Sequence, residues 1–197
     1  MNVYNTEGEF VVNIKSGSSL NYKFGTDLSP DFAQQKGLYE VGVIMGSRSD
    51  WPYMQPCTDM LEQLQIRFEF GIVSAHRTFG RMGLYAHTAS DRGLHVIIAC
   101  AGGSAHLPGM VASETLLPVL GVAPKKTDKD AVSSMIAMPA GKPLAYLGGG
   151  SEPGKNAGAV NAALFAANIL ALGNDGLRER LHEYHVGLHD AVPHTCS

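Results

Sequence analysis

The chain has 197 residues, enough for one domain with a full hydrophobic core and too few for two comfortable ones. With 45% hydrophobic and 17% charged residues it has the composition of a soluble globular protein, and a formal net charge of -3 argues against a general nucleic-acid-binding surface, so any anionic ligand must be held locally. Cys57, Cys100 and Cys196 are odd in number and widely spaced, with neither a paired CxxC zinc pattern nor a disulfide framework, which fits a reducing cytoplasm.

The amino terminus lacks the basic region and long apolar stretch of a signal peptide, and no later run approaches membrane-spanning length. A cytoplasmic protein without membrane or nucleic-acid partners is expected. Residues 8–24 alternate in a β manner around Lys15-Ser-Gly-Ser-Ser19 and read as a hairpin, and Asp27–Gly37, with Pro30, reads as a linker or short helix. From Tyr39 the pattern becomes strand Glu40–Met45, helix Trp51–Leu64, strand Arg67–Val73, helix Arg77–Arg92, strand His95–Ala99, a helix near Pro108–Glu114 and strand Val119–Val122. Strand then helix at this spacing implies βαβ units and a parallel sheet covered on both faces.

Lys125–Asp130 is of mixed charge and reads as a solvated loop, Leu144–Leu147 is a candidate fifth strand, and Gly148–Gly154 reads as a flexible loop. Asn156–Leu172 is Ala-rich and apolar nearly all round, so it must be buried; an oligomer interface is favoured over a central core position. The expected organisation is an N-terminal extension (1–38), an α/β domain (39–173) and a C-terminal helix and tail (174–197). His182, His185, His189 and His194 are scattered through that polar tail without a recognisable metal-ligand spacing, and no metal site is assigned.

Three polar or glycine-rich clusters each follow an apolar run, and in an open parallel sheet such strand ends converge on the ligand site. In Gly46-Ser-Arg-Ser-Asp50, Gly46 permits a tight turn, Ser47 and Ser49 offer hydroxyls, Asp50 stands where a helix cap or hydroxyl-binding carboxylate would stand, and the first-turn amides suit a phosphate. Alone, this cluster reads equally as a capped helix start. Ser74-Ala-His-Arg-Thr78 places a proton shuttle, His76, beside a fixed cation, Arg77; most such pairs are solvated surface loops. In Ala101-Gly-Gly-Ser-Ala-His-Leu-Pro-Gly-Met110, Gly102, Gly103 and Ser104 can present amides to a developing negative charge while His106 bonds a substrate; the bland alternative is a turn with a satisfied histidine. Coincidence at successive strand ends is what lifts the three above their separate bland readings. Cys100 adjoins the site but reads as a packed thiol rather than a nucleophile.

Together with Met138-Pro-Ala-Gly141, these clusters resemble, in order from about Val41 to Leu172, the successive signatures of the PurE family of N5-carboxyaminoimidazole ribonucleotide mutases. The resemblance implies a three-layer flavodoxin-like α/β sandwich with a central parallel sheet, assembled as a homo-octamer with sites between subunits. It also implies transfer of a carboxylate from the exocyclic nitrogen of an aminoimidazole ribonucleotide to ring carbon C4, in purine biosynthesis, without ATP, metal or organic cofactor. Carried across by motif, His76 is the acid/base, Ser47 and Asp50 bind the ribonucleotide, and Arg77 meets its phosphate. Gly102, Gly103, Ser104, Ala105 and His106 line the pocket that holds carbon dioxide, with Gly46, Ser49, Ser74, Ala75 and Leu107 completing the substrate site. Family members that carboxylate aminoimidazole ribonucleotide directly resemble a version with SAHKT and without the HLPGM ending, so Arg77 and His106–Met110 point to the mutase branch.

Two stretches depart from the family pattern: the Ala123–Asp130 loop is shorter and lacks a glutamine-serine pair, and Gly148–Gly158 is longer. They keep two alternatives open, a relative acting on aminoimidazole ribonucleotide plus carbon dioxide or on another aromatic ribonucleotide, and an inactive ribonucleotide-binding assembly protein.

Overall fold

A computed structural model describes residues 37–127 and 129–193; the hairpin expected over 8–24 lies outside them, as do His194 and Cys196. The apolar runs β1 (Val41–Met45) and β3 (Val96–Cys100) are buried at every position, as strands covered on both faces must be. They form the middle of a five-stranded sheet with β2 (Phe68–Ile72), β4 (Val119–Lys125) and β5 (Ala145–Gly150), in the order β2-β1-β3-β4-β5 with every neighbouring pair parallel. Helices α1 (Trp51–Gln63) and α5 (Ala157–Ala171) pack together on one face, while α2 (Phe79–Arg92), α3 (His106–Glu114) and α4 (Lys129–Ile136) lie side by side on the other. A last helix, α6 (Asp175–Asp190), packs on α5. This is the three-layer flavodoxin-like sandwich expected, and its strand order reverses between β1 and β3, where such sheets open a crevice for ligands.

Register decides what that crevice contains. Met45, the last residue of β1, pairs with Ile72 of β2 on one side and Cys100 of β3 on the other. All three loops therefore leave the sheet at one level. Gly46 N–H donates to the Cys100 carbonyl at 3.1 Å and Val73 N–H to the Met45 carbonyl at 2.8 Å, which ties the loop starts together beyond the strands.

Several boundaries differ from those read in the sequence, each for a physical reason. Helix α2 begins at Phe79 rather than Arg77, because Ser74–Thr78 closes a hydrogen-bonded turn of its own. Helix α3 begins at His106, two residues before Pro108; a first-turn proline removes an amide that has no intrahelical partner anyway. Lys125–Asp130 is not a simple solvated loop: β4 runs on to Lys125, with its register shifted around Pro124, and α4 starts at Lys129, anchored by buried Ala131 and Met135 one turn apart. Gly148–Gly150 belongs to β5 instead of a flexible loop. Glycines are needed there because a Cβ on Gly149 would lie 2.8 Å from the Lys126 amide nitrogen, and one on Gly158 would lie 2.4 Å from the Gly148 carbonyl carbon where α5 crosses the strand. The alanines of α5 let it approach just as closely: Ala159, Ala162, Ala163, Ala166 and Ala167 face its own domain, while Phe165 points outward, so the helix is a core element on one face.

Candidate active site

The first loop is shaped by Ser47. In extended conformation it caps a 3-10 turn over Arg48–Asp50, its Oγ accepting from Ser49 N–H at 3.2 Å and lying 2.9 Å from the Ser49 hydroxyl. The turn delivers Asp50 into the protein, where it is buried. Burial pushes its carboxyl up to about 6, opposed by a hydrogen bond from the Ser47 backbone and by the Arg77 guanidinium.

The second loop is a self-contained knot. Ser74 N–H donates to Thr78 Oγ1 at 2.9 Å, the Thr78 hydroxyl donates to the Ser74 carbonyl at 3.0 Å, and Arg77 N–H donates to Ser74 Oγ at 3.3 Å. Thr78 was missed as a site-shaping residue, although a hydroxyl four residues after Ser74 is a legible signal for such a turn. The knot turns His76 and Arg77 outward, and Arg77 Nη2 donates to the Gly46 carbonyl at 3.3 Å, so the guanidinium spans the first two loops.

The third loop brings His106 to His76. Its backbone passes through left-handed conformations at Gly103 and at Ala105, the latter a non-glycine residue held at φ 43° as the cap of α3. His106 then stands at the start of that helix with Nδ1 at 2.8 Å from His76 Nε2, the two rings nearly perpendicular at 84°. One nitrogen of this contact donates and the other accepts. Nδ1 of His76 is left as the nitrogen that can face a substrate.

These loops enclose a cleft of about 490 Å³ lined by Gly46, Ser47, Ser49, Asp50, Ser74, Ala75, His76, Arg77, Ala101, Gly102 and Leu107. Of the residues predicted for the site, Gly103, Ser104 and Ala105 do not line it; Gly103 and Ser104 are exposed at its lip and Ala105 is buried behind it. His106 reaches it through His76. Ala101 also lines it, a small apolar residue whose type carries no site signal in the sequence. Cys100 is fully buried beneath the cleft, and burial, with the Asp50 charge and Cys57 nearby, pushes its thiol well above the ordinary range, which suits a packed side chain.

The AIR carboxylase family model matches residues 40–191. The chain belongs to the AIR carboxylase family. It is 47% identical over 155 residues to N5-carboxyaminoimidazole ribonucleotide mutase from Pseudomonas aeruginosa, covering 77% of this chain and 92% of that relative. It is 48% identical over 146 residues to the protein of that name from Bacillus subtilis, covering 73% of this chain and 87% of the relative. Among solved structures it is similar to PurE of Treponema denticola, with a TM-score of 0.66 and 25% identity over 76% of this chain and 91% of that one. The AIR carboxylase match spans all three cleft loops and leaves the whole N-terminal extension, residues 1–38, outside it.

Proposed function

We propose that this protein is an N5-carboxyaminoimidazole ribonucleotide mutase of purine biosynthesis. The observation that carries the reading is the His76–His106 pair, set at 2.8 Å on the cleft that also holds Arg77 and buried Asp50. Its support is the near-half identity to mutases over three quarters of the chain.

The residues have complementary tasks. Arg77, with the Ser47–Ser49 turn, supplies charge and hydroxyls for the ribonucleotide phosphate, and Asp50 accepts from a sugar hydroxyl. Loss of carbon dioxide from the exocyclic nitrogen leaves that nitrogen needing a proton, which His76 gives. Ring carbon C4 then attacks the carbon dioxide, and the proton displaced from C4 returns to His76. The imidazole ends as it began, so a single acid/base group serves both halves of the transfer. Retention of carbon dioxide against the Gly102 loop makes its recapture effectively unimolecular. Assembly as a homo-octamer and a cytoplasmic location complete the reading, with neighbouring subunits closing over a cleft that one chain leaves open.

The deciding experiment is an ATP-free assay of the purified protein with freshly prepared N5-carboxyaminoimidazole ribonucleotide, with aminoimidazole ribonucleotide plus bicarbonate run alongside. Conversion of the first with only weak use of the second is expected. Preference for the second would make the protein a carboxylase. Conversion of neither by folded protein would favour another aromatic ribonucleotide, the reading prompted by the altered segments 123–131 and 148–158, and binding without any turnover would favour an assembly protein.

A further inference from the structure

Helix α6 ends in His182-Glu-Tyr-His-Val-Gly-Leu-His-Asp190, a segment to which the mutase reading gives no role. The tail histidines show no metal-ligand spacing as a linear pattern, but helix α6 sets two of them one turn apart, and we infer that His185 and His189 form a two-imidazole site for a divalent transition-metal ion. Residues four apart on an α-helix share a face with Cβ atoms about 5–6 Å apart, a span that two imidazoles close around one ion at Zn–N distances of about 2.0–2.1 Å. Both side chains are exposed, so nothing in the chain has to move to admit the ion.

A second observation orients one of the two rings, His189. Asp190 Oδ1 lies 3.0 Å from His189 Nδ1, so the carboxylate accepts that N–H and Nε2 keeps the lone pair. A carboxylate behind a ligating histidine fixes the tautomer, raises the basicity of the ligand and adds negative charge beside the cation. Imidazole nitrogen selects zinc, nickel or copper(II) over magnesium and calcium. Among the described residues no group of three or more His, Cys, Asp or Glu converges, so two histidines and solvent complete the coordination.

The site is remote from the cleft. Arg180 Nε donates to the Leu64 carbonyl at 2.8 Å, which docks α6 against the carboxyl end of α1, and α1 runs away from the loops at the carboxyl ends of the strands. An ion clamped across one helical turn binds the folded helix and not the unfolded chain, so it raises the melting temperature.

The test is calorimetric titration of the metal-depleted full-length protein with zinc chloride, with magnesium chloride as a comparison. One zinc per chain and no magnesium binding are expected. His185→Gln and His189→Gln should each weaken zinc binding by about tenfold or more and abolish the zinc-dependent rise in melting temperature, while Asp190→Asn weakens it roughly tenfold, the usual effect of an outer-shell partner. Turnover by these variants should match that of the parent. Zinc affinity unchanged in both histidine variants overturns the proposal. So does loss of zinc binding in His76→Asn with retention in His189→Gln, which would put the ion on the cleft histidines. Because the readout is zinc affinity, failure of the mutase reading leaves this test untouched.

Discussion

His76 meets His106 through Nε2 and Nδ1 at 2.8 Å, so a change at either residue reaches the other. His76→Asn should lower turnover by roughly a hundredfold to ten-thousandfold, the contribution of a positioned acid/base, while ribonucleotide binding measured by calorimetry stays within a few-fold of the parent. Normal turnover by that variant would remove His76 from the mechanism. Asp50 gives a separate, pH-dependent signature. Its folded value of about 6 lies above the ordinary carboxylate value of 3.8, so the native state takes up a proton before the unfolded chain does. That stabilisation is fully present below about pH 4 and is lost as pH rises through about 6, with a ceiling of about 3 kcal/mol. Urea denaturation from pH 4 to 7 should therefore show a component of stability that declines with pH in the parent and disappears in Asp50→Asn. An identical profile in the two proteins would refute the raised value. At this scale most of the cleft lining was legible in the sequence: Ser47, Asp50, His76 and Arg77 follow strand ends where no core residue is required. The Asp50 shift and the His76–His106 contact were not, because both depend on loops thirty residues apart meeting at one level of the sheet.

Helix α2 carries the His76–Arg77 loop at its start and is fixed at its far end by an ion pair between Arg92 and Glu69 of β2, 2.5 Å apart with both side chains buried. The Arg92 guanidinium also stacks 4.7 Å from the centre of the Tyr85 ring, and Gly42 of β1 leaves room for the Tyr85 hydroxyl, which a Cβ there would meet at 2.1 Å. Arg92→Ala leaves the Glu69 charge without its cation and should cost about 3–5 kcal/mol in urea denaturation, whereas the double replacement Glu69→Leu, Arg92→Leu should cost much less. A single variant as stable as the parent would show the pair to be energetically idle. This pair was not legible in the sequence, since Glu69 interrupts an apolar strand and Arg92 looks like a surface residue ending a helix. The long elements α1, α2, β1 and β3 were readable from period and β-branching alone. The start of β5 was readable too, but its continuation through Gly148–Gly150 and helix α4 were not, because those glycines are dictated by the crossing of α5, a tertiary contact, and α4 is held by only two buried side chains.

At the scale of the molecule, one apolar recess lies at the opposite end of the sheet from the cleft. Leu116 is wholly exposed in the single chain, and Phe165 of α5 is 44% exposed. Both line a recess of about 360 Å³ with Leu117, Pro118, Val119 and Pro143, at the amino ends of β4 and β5. A single chain gains nothing from a leucine standing in water beside an apolar recess, but a second copy does, since burying one such side chain is worth roughly 1.5–3 kcal/mol and a symmetric assembly repeats the contact in every subunit. If this surface holds the proposed octamer together, Leu116→Asp should shift the protein to smaller species in light scattering at micromolar concentration while its far-UV circular dichroism is unchanged. Because the proposed site is completed by neighbouring subunits, turnover should fall with the octamer population and recover as concentration is raised. An octamer of parental mass from Leu116→Asp would place the interface elsewhere, and full activity from a dissociated variant would show that one chain's cleft suffices for the reaction.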